Sequence, residues 1–402
     1  MPAVNPAILI WARESAGFDL ETAAHAIDLG ATKSATAAER LAALEAGADA
    51  PTRPLLLRMA KQYRQPLLAF YLSEPPPKGD RGSDFRTLPA DYSPAEDALL
   101  DALIRDVSAR QSMVRATLEA EDEVERIAFI GSMKIADGVP ALATALQDAL
   151  VFNARTYRAQ ESVDAAFSLL RERAEAKGVY VLLIGDLGSH HTALSVETFR
   201  GFALADEVAP FVVINDRDAR TAWSFSLLHE LTHLFLGQTG VSGGSAEARI
   251  EQFCNDVASE ILLPLSELEQ LQIDNNTSAD VAEQLVQNFA SERKVSASMV
   301  AYKAYRAGSL SRAMWLTLSQ RFREHWHRHR AQEKEKSRQL EGGPNYYVVR
   351  RHRLGAALPQ FVARMLSGGA LTTTRAATIL GVRPQNVQAL LGDVRPSGQR
   401  LG

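Results

Sequence analysis

The sequence predicts an α+β fold that is mostly helical, with one small sheet near the middle of the chain. Three short apolar runs lie close together, at Val179–Ile184, Gly201–Leu204 and Phe211–Ile214, which is typical of buried strands. Most of the remaining chain shows apolar residues at helical spacing, with glycines where helices would end. We therefore expect a core built on these strands, flanked at both ends by helical modules.

Composition bounds the class of protein. The length of 402 residues allows two to four domains, and the 46% hydrophobic content is ordinary for a soluble chain. The formal net charge of −4 creates no protein-wide field that attracts nucleic acid, so any such binding has to be local. The single cysteine, Cys254, excludes an internal disulfide and fits a reducing compartment. No signal peptide or membrane-spanning run is visible, so we expect a cytoplasmic protein without a membrane partner.

The first segment, 1–74, predicts a small all-helical domain. Its expected helices cover 6–16, 19–29, 34–46, 53–63 and 66–72, with Asp19 as an N-cap. Trp11–Gly17 and Leu44–Thr52 are similar to the XRE-type helix-turn-helix domain, a resemblance that implies a third helix in the major groove of DNA. Only Lys33 and Arg40 offer obvious DNA contacts there. DNA binding and a docking module without DNA affinity therefore both remain open.

A linker and a helical segment are expected over 75–160. Pro75–Asp80 predicts a stiff extended linker. Long amphipathic helices are expected over 94–120 and 121–135, then a loop at 137–140 and a further helix over 163–177. The acidic residues between 121 and 125 are interpreted as a solvated helix face rather than a metal site.

A helix that begins near Phe225 carries His229-Glu230-Leu231-Thr232-His233. Residues four apart lie on one helix face, so His229 and His233 are placed to hold one metal ion together. Glu230 is then placed to act as general base toward a water at the metal, which is the HExxH pattern of zinc metalloproteases. The flanking residues are almost all apolar, and burying two histidines and a glutamate among them would be costly without a function.

A second helical stretch, Ile250–Pro264, supplies candidates for the rest of the site. Glu251 is the expected third ligand, which leaves a fourth position for water or substrate. Asn255 lies one turn later, where it is placed to hydrogen-bond a ligand. Cys254 is interpreted as a small apolar core residue, and the pair His190 and His191 as a solvated loop rather than oxyanion donors.

These motifs resemble the ImmA/IrrE family of metallo-endopeptidases. The matching segments are Phe199–Leu204, Ala209–Asn215, Ser226–Leu234 and Glu251–Pro264. The resemblance implies a zinc-peptidase domain over 161–335, in which one Zn²⁺ is bound by His229, His233 and Glu251 and Glu230 is the catalytic base. Characterised relatives cleave a partner repressor at one site and so turn on genes.

The chain after Pro264 predicts helices again. They are expected over 278–290 and 296–307 and from 311 onward, where the polar stretch 321–338 is interpreted as a solvated helix or hinge. The segment 345–402 predicts a C-terminal helical module, for which a second helix-turn-helix is one interpretation. Thr372 would cap a helix in it and Gly381 would make the turn.

Together these features favour a regulatory endopeptidase that uses Zn²⁺ to cleave a specific partner protein, such as a transcriptional repressor, in transcription or stress control. Two alternatives stay open. In the first, the chain is an antitoxin that neutralises a toxin by binding it. In the second, it is a DNA-binding regulator whose zinc is only structural.

Overall fold

The computed structural model describes residues 4–76, 94–189, 192–238, 245–273, 277–339 and 345–392. The predicted linker Pro75–Asp80 lies largely outside these ranges, as do His190, His191 and Gly342–Pro344. The described residues divide into two compact units. One comprises those within 1–81, 88–106 and 186–198, and the other comprises the rest. None of the described helices is long and apolar enough to cross a membrane.

The first unit begins with four short helices, α1 to α4, and a 3₁₀ turn. Their bounds are Pro6–Glu14, Leu20–Ala26, Ala37–Glu45, Arg53–Gln62 and, for the turn, Leu67–Tyr71. Asp19 caps α2 as predicted, accepting a hydrogen bond from the backbone of Thr22. Thr36 and Glu39 form a reciprocal capping box on α3. The apolar faces of all these elements meet in one buried core.

An ion pair crosses this core between α1 and α3. Arg13 donates to both carboxylate oxygens of Glu45, at 2.7 and 3.0 Å, and both side chains are largely buried. Such a two-point contact fixes the relative orientation of two helices more strongly than a surface pair would. In the same unit, Ser195 and Thr198 donate to Glu96, which lies near the start of the helix that begins at Pro94.

The second unit is built on the predicted sheet. Strands β1 (Tyr180–Leu183), β2 (Gly201–Leu204) and β3 (Phe211–Ile214) have the order β1-β3-β2. β1 runs parallel to β3, whereas β2 runs antiparallel to it with Gly201 opposite Ile214. β1 and β3 are buried along their whole length, as expected of strands covered on both faces.

Helices cover this sheet and continue to the end of the chain. Helix α5 (Pro94–Ala120) begins in the first unit and ends in the second. The others are α6 (Val139–Leu150), α7 (Ala154–Arg158), α8 (Val163–Glu175), α9 (Arg220–Phe235), α10 (Ser245–Leu262), α11 (Ala279–Glu292), α12 (Ala297–Arg306) and α13 (Arg312–Gln339). Helix α9 lies against β2 and β3 and packs on α6, α8 and α10 around the principal core. The mostly helical α+β prediction is confirmed.

The predicted helix over 121–135 is wrong. Asp122 adopts a left-handed conformation with φ of 54°, which ends α5, and the following residues are irregular. The backbone N–H groups of Ile127, Gly131 and Met133 donate instead to Glu207, Leu234 and Phe235. This segment therefore exchanges helical hydrogen bonds for contacts with the end of α9. Residues 139–150, by contrast, form a helix that the sequence did not suggest, with Pro140 in its first turn.

The C-terminal module comprises α14 (Tyr346–Leu354), α15 (Ala357–Ser367), α16 (Thr373–Leu380), a 3₁₀ turn at Pro384–Asn386 and α17 (Val387–Leu391). Thr372 caps α16, and Gly381 ends it in the left-handed conformation, as predicted. Helices α14 and α15 pack along β1. The module is therefore joined to the outer side of the sheet.

A buried ion pair fastens this module to the sheet. Arg171 of α8 pairs with Glu175 at 3.3 Å and donates to the backbone carbonyls of His352, Arg353 and Val181. Glu175 in turn accepts from the backbone N–H groups of Ala356 and Ala357 at the start of α15.

The basic stretch of α14 is also used inside the chain. Arg350 donates to the carbonyls of Leu380 and Gly381, which end α16. Arg353 pairs with Asp216 at 2.7 Å. These contacts explain the positive charges of the stretch through packing within the second unit, without requiring a nucleic-acid ligand.

Gly355→Ala is expected to destabilise this junction strongly. A β-carbon at Gly355 would lie 1.9 Å from Oε1 of Glu175, and that carboxylate cannot move away without breaking its buried contacts. Thermal unfolding of the full chain checks this. Gly369→Ala is the matched control, because Gly369 also has a positive φ but has open space around it. A loss of melting temperature no larger than that of the control would contradict the role given to the junction.

Candidate metal centre

Helix α9 holds two histidines and a glutamate inside the core of the second unit. Its leucines pack against the sheet and against α10, so that only a small part of His229 and almost none of His233 is exposed. Glu230 is 5% exposed. The helix ends at Gly237, whose φ of 66° only glycine adopts without strain, and the backbone of Gln238 donates to His233.

Helix α10 packs along α9 and brings Glu251 to the two histidines. Nε2 of His229 lies 3.1 Å from Nε2 of His233 and 3.3 Å from Oε2 of Glu251. Nε2 of His233 lies 2.9 Å from Oε1 of Glu251. Among the described residues, this is the one group of three acidic, histidine or cysteine side chains with ligand atoms close enough to share an ion.

The separation of these atoms fits zinc. Ligand bonds of about 2.0–2.1 Å at tetrahedral angles place neighbouring ligand atoms roughly 3.3 Å apart. The three observed distances cluster near this value. Two imidazole nitrogens and one carboxylate are also a donor set that zinc prefers, and three protein ligands leave a coordination position open.

The outer nitrogens of both histidines are also engaged. Nδ1 of His229 lies 3.0 Å from Oδ1 of Asn255, the residue predicted to support a ligand. A proton on Nδ1 of His229 directs the lone pair of its Nε2 toward Glu251, which is the tautomer that a metal requires. Nδ1 of His233 lies 3.8 Å from Sγ of Cys254, so this buried cysteine contacts a ligand as well as filling the core.

Burial and charge act in opposite directions on the ligands. Burial raises the pKa of Glu251, but its contacts with His229 and His233 outweigh burial and hold that pKa well below its usual range. Burial lowers the pKa of His233 and keeps its imidazole neutral. Burial also lowers the pKa of His229, although Glu251 and Glu230 raise it by more. The cluster therefore has an ionised carboxylate that attracts positive charge, whether a proton or a metal ion.

Glu230 differs from Glu251 in the balance of burial and charge. Burial raises the pKa of Glu230 to about 8; the charge of His229 lowers this pKa but does not offset burial, and the charge of Glu251 raises it further. A buried carboxyl group with a pKa near neutrality is suited to accept a proton and return it. Glu230 therefore has the electrostatic environment of a general base.

The stability of the metal-free protein should depend on pH through Glu230. Its folded pKa of about 8 lies above the unfolded value of 4.5, so the folded state loses stability as pH rises between these values. Glu230→Gln cannot ionise, and it should raise the melting temperature at about pH 9 but not at about pH 4. Thermal unfolding in chelator checks this, with the exposed Glu172→Gln as control. Equal effects at both pH values would contradict it.

A largely buried lysine, which the sequence did not single out, supports the end of α10. Nζ of Lys303 donates to the carbonyl of Ser259 at 3.1 Å, to Glu260 at 2.8 Å and to the carbonyl of Leu263. A cation is favourable at the C-terminal end of a helix because the last carbonyls there are unpaired. Lys303 lies on α12, far away in sequence, and no local pattern predicts this contact.

The two weak DNA-binding candidates belong to the first unit, whereas the metal centre belongs to the second. Lys33 is exposed in the loop before α3. Arg40 is half-buried on α3 and donates to the carbonyl of Gly30. That contact uses part of the guanidinium group to brace the loop, so Lys33 is the more accessible of the two cations.

Comparison with known proteins agrees with this geometry. Residues 174–305 match the family model Peptidase_M78, described as the IrrE N-terminal-like domain. No curated protein and no solved structure gives a significant match to the chain. The matched segment runs from the end of α8 to the end of α12, and so contains the sheet and all the residues of the metal centre. This part of the chain is therefore similar to a metallopeptidase domain of the IrrE type, which supports a relationship with the ImmA/IrrE family.

Proposed function

We propose that the chain is a regulatory zinc-dependent endopeptidase that cleaves a specific partner protein, such as a transcriptional repressor. The observation that carries this proposal is the convergence of His229, His233 and Glu251 beside the buried carboxylate of Glu230. A purely structural zinc site normally has four protein ligands and needs no neighbouring base. Among the residues that the structure describes, the candidate ligands number three, and Glu230 is a candidate base buried next to His229 in the chain.

His229, His233 and Glu251 would hold the ion, and Asn255 would keep His229 in the ligating tautomer. When bound, zinc supplies a Lewis acid that polarises a peptide carbonyl and makes a water molecule more acidic. Glu230 takes a proton from the attacking water and then passes it to the nitrogen of the leaving amine. The two carboxylates thus have different roles. Glu251 stays ionised as a ligand, whereas Glu230 accepts and returns the proton.

The sheet offers a way to hold an extended substrate. The register of β2 on β3, with Asn215 donating to the carbonyl of Arg200, directs the backbone groups of Gly201 and Ala203 away from β3. A substrate segment added alongside β2 would pair with these groups and pass next to Glu230. The other outer strand, β1, is covered by α14 and α15. We infer that β2 is the strand that binds substrate.

The first unit is proposed to recruit the partner protein or DNA. Its helices α1 to α4 are consistent with the XRE-like resemblance, and Lys33 is exposed beside α3. If this unit binds DNA, the affinity should fall steeply with salt because phosphate contacts release counterions. A promoter-shift titration of the full chain with Lys33→Ala, at several salt concentrations, separates DNA binding from protein docking.

Trapping the partner tests the proposed function. Glu230→Gln retains all three ligands, so a tagged full-length variant should bind the substrate without cleaving it. The captured protein is then incubated with the zinc-loaded parent chain, and new termini are read by mass spectrometry. One new pair of termini supports a site-specific endopeptidase. A partner that is captured equally by both proteins and stays intact supports the antitoxin alternative, in which the chain acts by binding.

A further inference from the structure

We propose that Gly201, the first residue of β2, positions the Glu230 carboxylate by leaving the space that any side chain would occupy. A β-carbon at Gly201 would lie 2.7 Å from Oε1 and 3.1 Å from Cγ of Glu230. Both distances are shorter than the 3.5–4.0 Å or so at which carbon atoms attract one another best. Glu230 would have to move if residue 201 carried a side chain.

Packing, rather than hydrogen bonding, determines where this carboxylate lies. Glu230 is 5% exposed. Burial and the charges of His229 and Glu251 act on its pKa, and within the described part of the chain no side chain donates a hydrogen bond to it. Because no described side chain holds the carboxylate by a hydrogen bond, the shape of the space around it has a large part in setting its direction. Gly201 forms one wall of that space.

The backbone at this position does not itself require glycine. Gly201 belongs to a regular strand and is not among the described glycines with positive φ. Glycine weakens a strand, and it often occurs where another group approaches the backbone closely. Strand alternation places Gly201 and Ala203 on the face that packs on α9, and Phe202 on the other. The two small residues let α9 lie close to the sheet, and the smaller one faces Glu230.

This inference rests on the proposed function, because it assigns Gly201 to a reaction in which Glu230 is the base. Gly201→Ala in the full zinc-loaded chain should lower kcat on the order of 100-fold, the cost of moving a catalytic group by about 1 Å. Zinc content and KM should stay close to those of the parent. In a Glu230→Asp background the shorter side chain draws the carboxylate back from residue 201. Gly201→Ala should then cost little beyond the loss already caused by Glu230→Asp.

Thermal unfolding of the metal-free full chain tests the same contact without relying on activity. Gly201→Ala should lower the melting temperature in the presence of Glu230. It should lower it much less in a Glu230→Ala background, where the carbonyl of Val213 at 3.1 Å is the remaining close neighbour. Gly30→Ala is the control, because Gly30 lacks a positive φ and has nothing within 4 Å of an added β-carbon. It should have the same effect in both backgrounds.

The outcomes separate the two proposals. Equal losses of melting temperature in both backgrounds, or an unchanged kcat in zinc-loaded Gly201→Ala, would overturn the role of Gly201. A loss of melting temperature that depends on Glu230, together with a parent chain that cleaves no partner, would contradict the proposed peptidase function. It would still support the contact between Gly201 and Glu230. Coupling in both kcat and melting temperature would establish Gly201 as a positioning residue.

Discussion

Glu230→Gln is expected to lower the rate of partner cleavage by on the order of 100- to 10,000-fold, the usual contribution of a general base. Glutamine has nearly the shape of glutamate but cannot accept a proton at neutral pH. The three ligands and the contact of His229 with Asn255 are untouched, so zinc content should stay at the parent level. Single-turnover cleavage of the captured partner, with metal analysis of the same sample, measures both quantities.

Glu172→Gln is the matched control for this change. Glu172 is an exposed glutamate on α8, outside the metal centre, and its amide variant should cleave at the parent rate. If Glu230→Gln retained the parent rate at full zinc occupancy, Glu230 would not be the base. The antitoxin and structural-zinc alternatives predict that neither protein cleaves the partner, and that Glu230→Gln supports the same response in cells as the parent, since binding a partner needs no proton transfer.

The second large effect concerns the metal itself. His229→Ala and Glu251→Ala should each purify almost without zinc. Each variant keeps only two of the three protein ligands, which is too few to retain the ion through purification. Asn255→Ala leaves all three ligands in place and should weaken zinc binding by on the order of 10- to 100-fold, as removal of a ligand's hydrogen-bond partner typically does. Elemental analysis and chelator competition give this graded series.

His325→Ala controls for the loss of a histidine as such. His325 is exposed on α13, where its Nε2 lies 3.8 Å from Oε1 of Glu283, and it does not belong to the cluster of ligand atoms. It should bind zinc like the parent. Full zinc in His229→Ala would contradict the assignment of the ligands, whatever the activity of that variant.

The local part of the site could be predicted from the sequence because helical geometry is local. Two histidines four residues apart must share a helix face, and the structure places their Nε2 atoms 3.1 Å apart. Glu251 is on a different helix, and its approach to them depends on how α10 packs against α9. The second helical stretch made Glu251 a candidate ligand, and the resemblance to a family implied the same role, but spacing alone does not predict how the two helices pack.

The contact between Gly201 and Glu230 could not be predicted from the sequence. This contact exists only after β2 has paired with β3 and α9 has packed on the sheet. In the sequence, Gly201 is an ordinary glycine at the start of an apolar run. Contacts that arise from strand register and helix packing cannot be predicted from the pattern of one segment.

The errors in secondary structure have the same origin. Residues 121–135 have helical spacing, but tertiary hydrogen bonds to Leu234 and Phe235 replaced the helical ones. Pro140 suggested a loop, but proline is well tolerated in the first turn of a helix, and Pro140 lies in the first turn of α6. In both cases the surroundings decided between conformations that the local sequence permits.

The mass of the captured partner after incubation with the zinc-loaded parent chain tests the central claim most directly. The peptidase account predicts two fragments from one cleavage site, and an intact partner when Glu230→Gln or chelated parent protein replaces the active chain. A partner that stays intact with fully zinc-loaded parent protein, while Glu230→Gln supports the same response in cells, would contradict it.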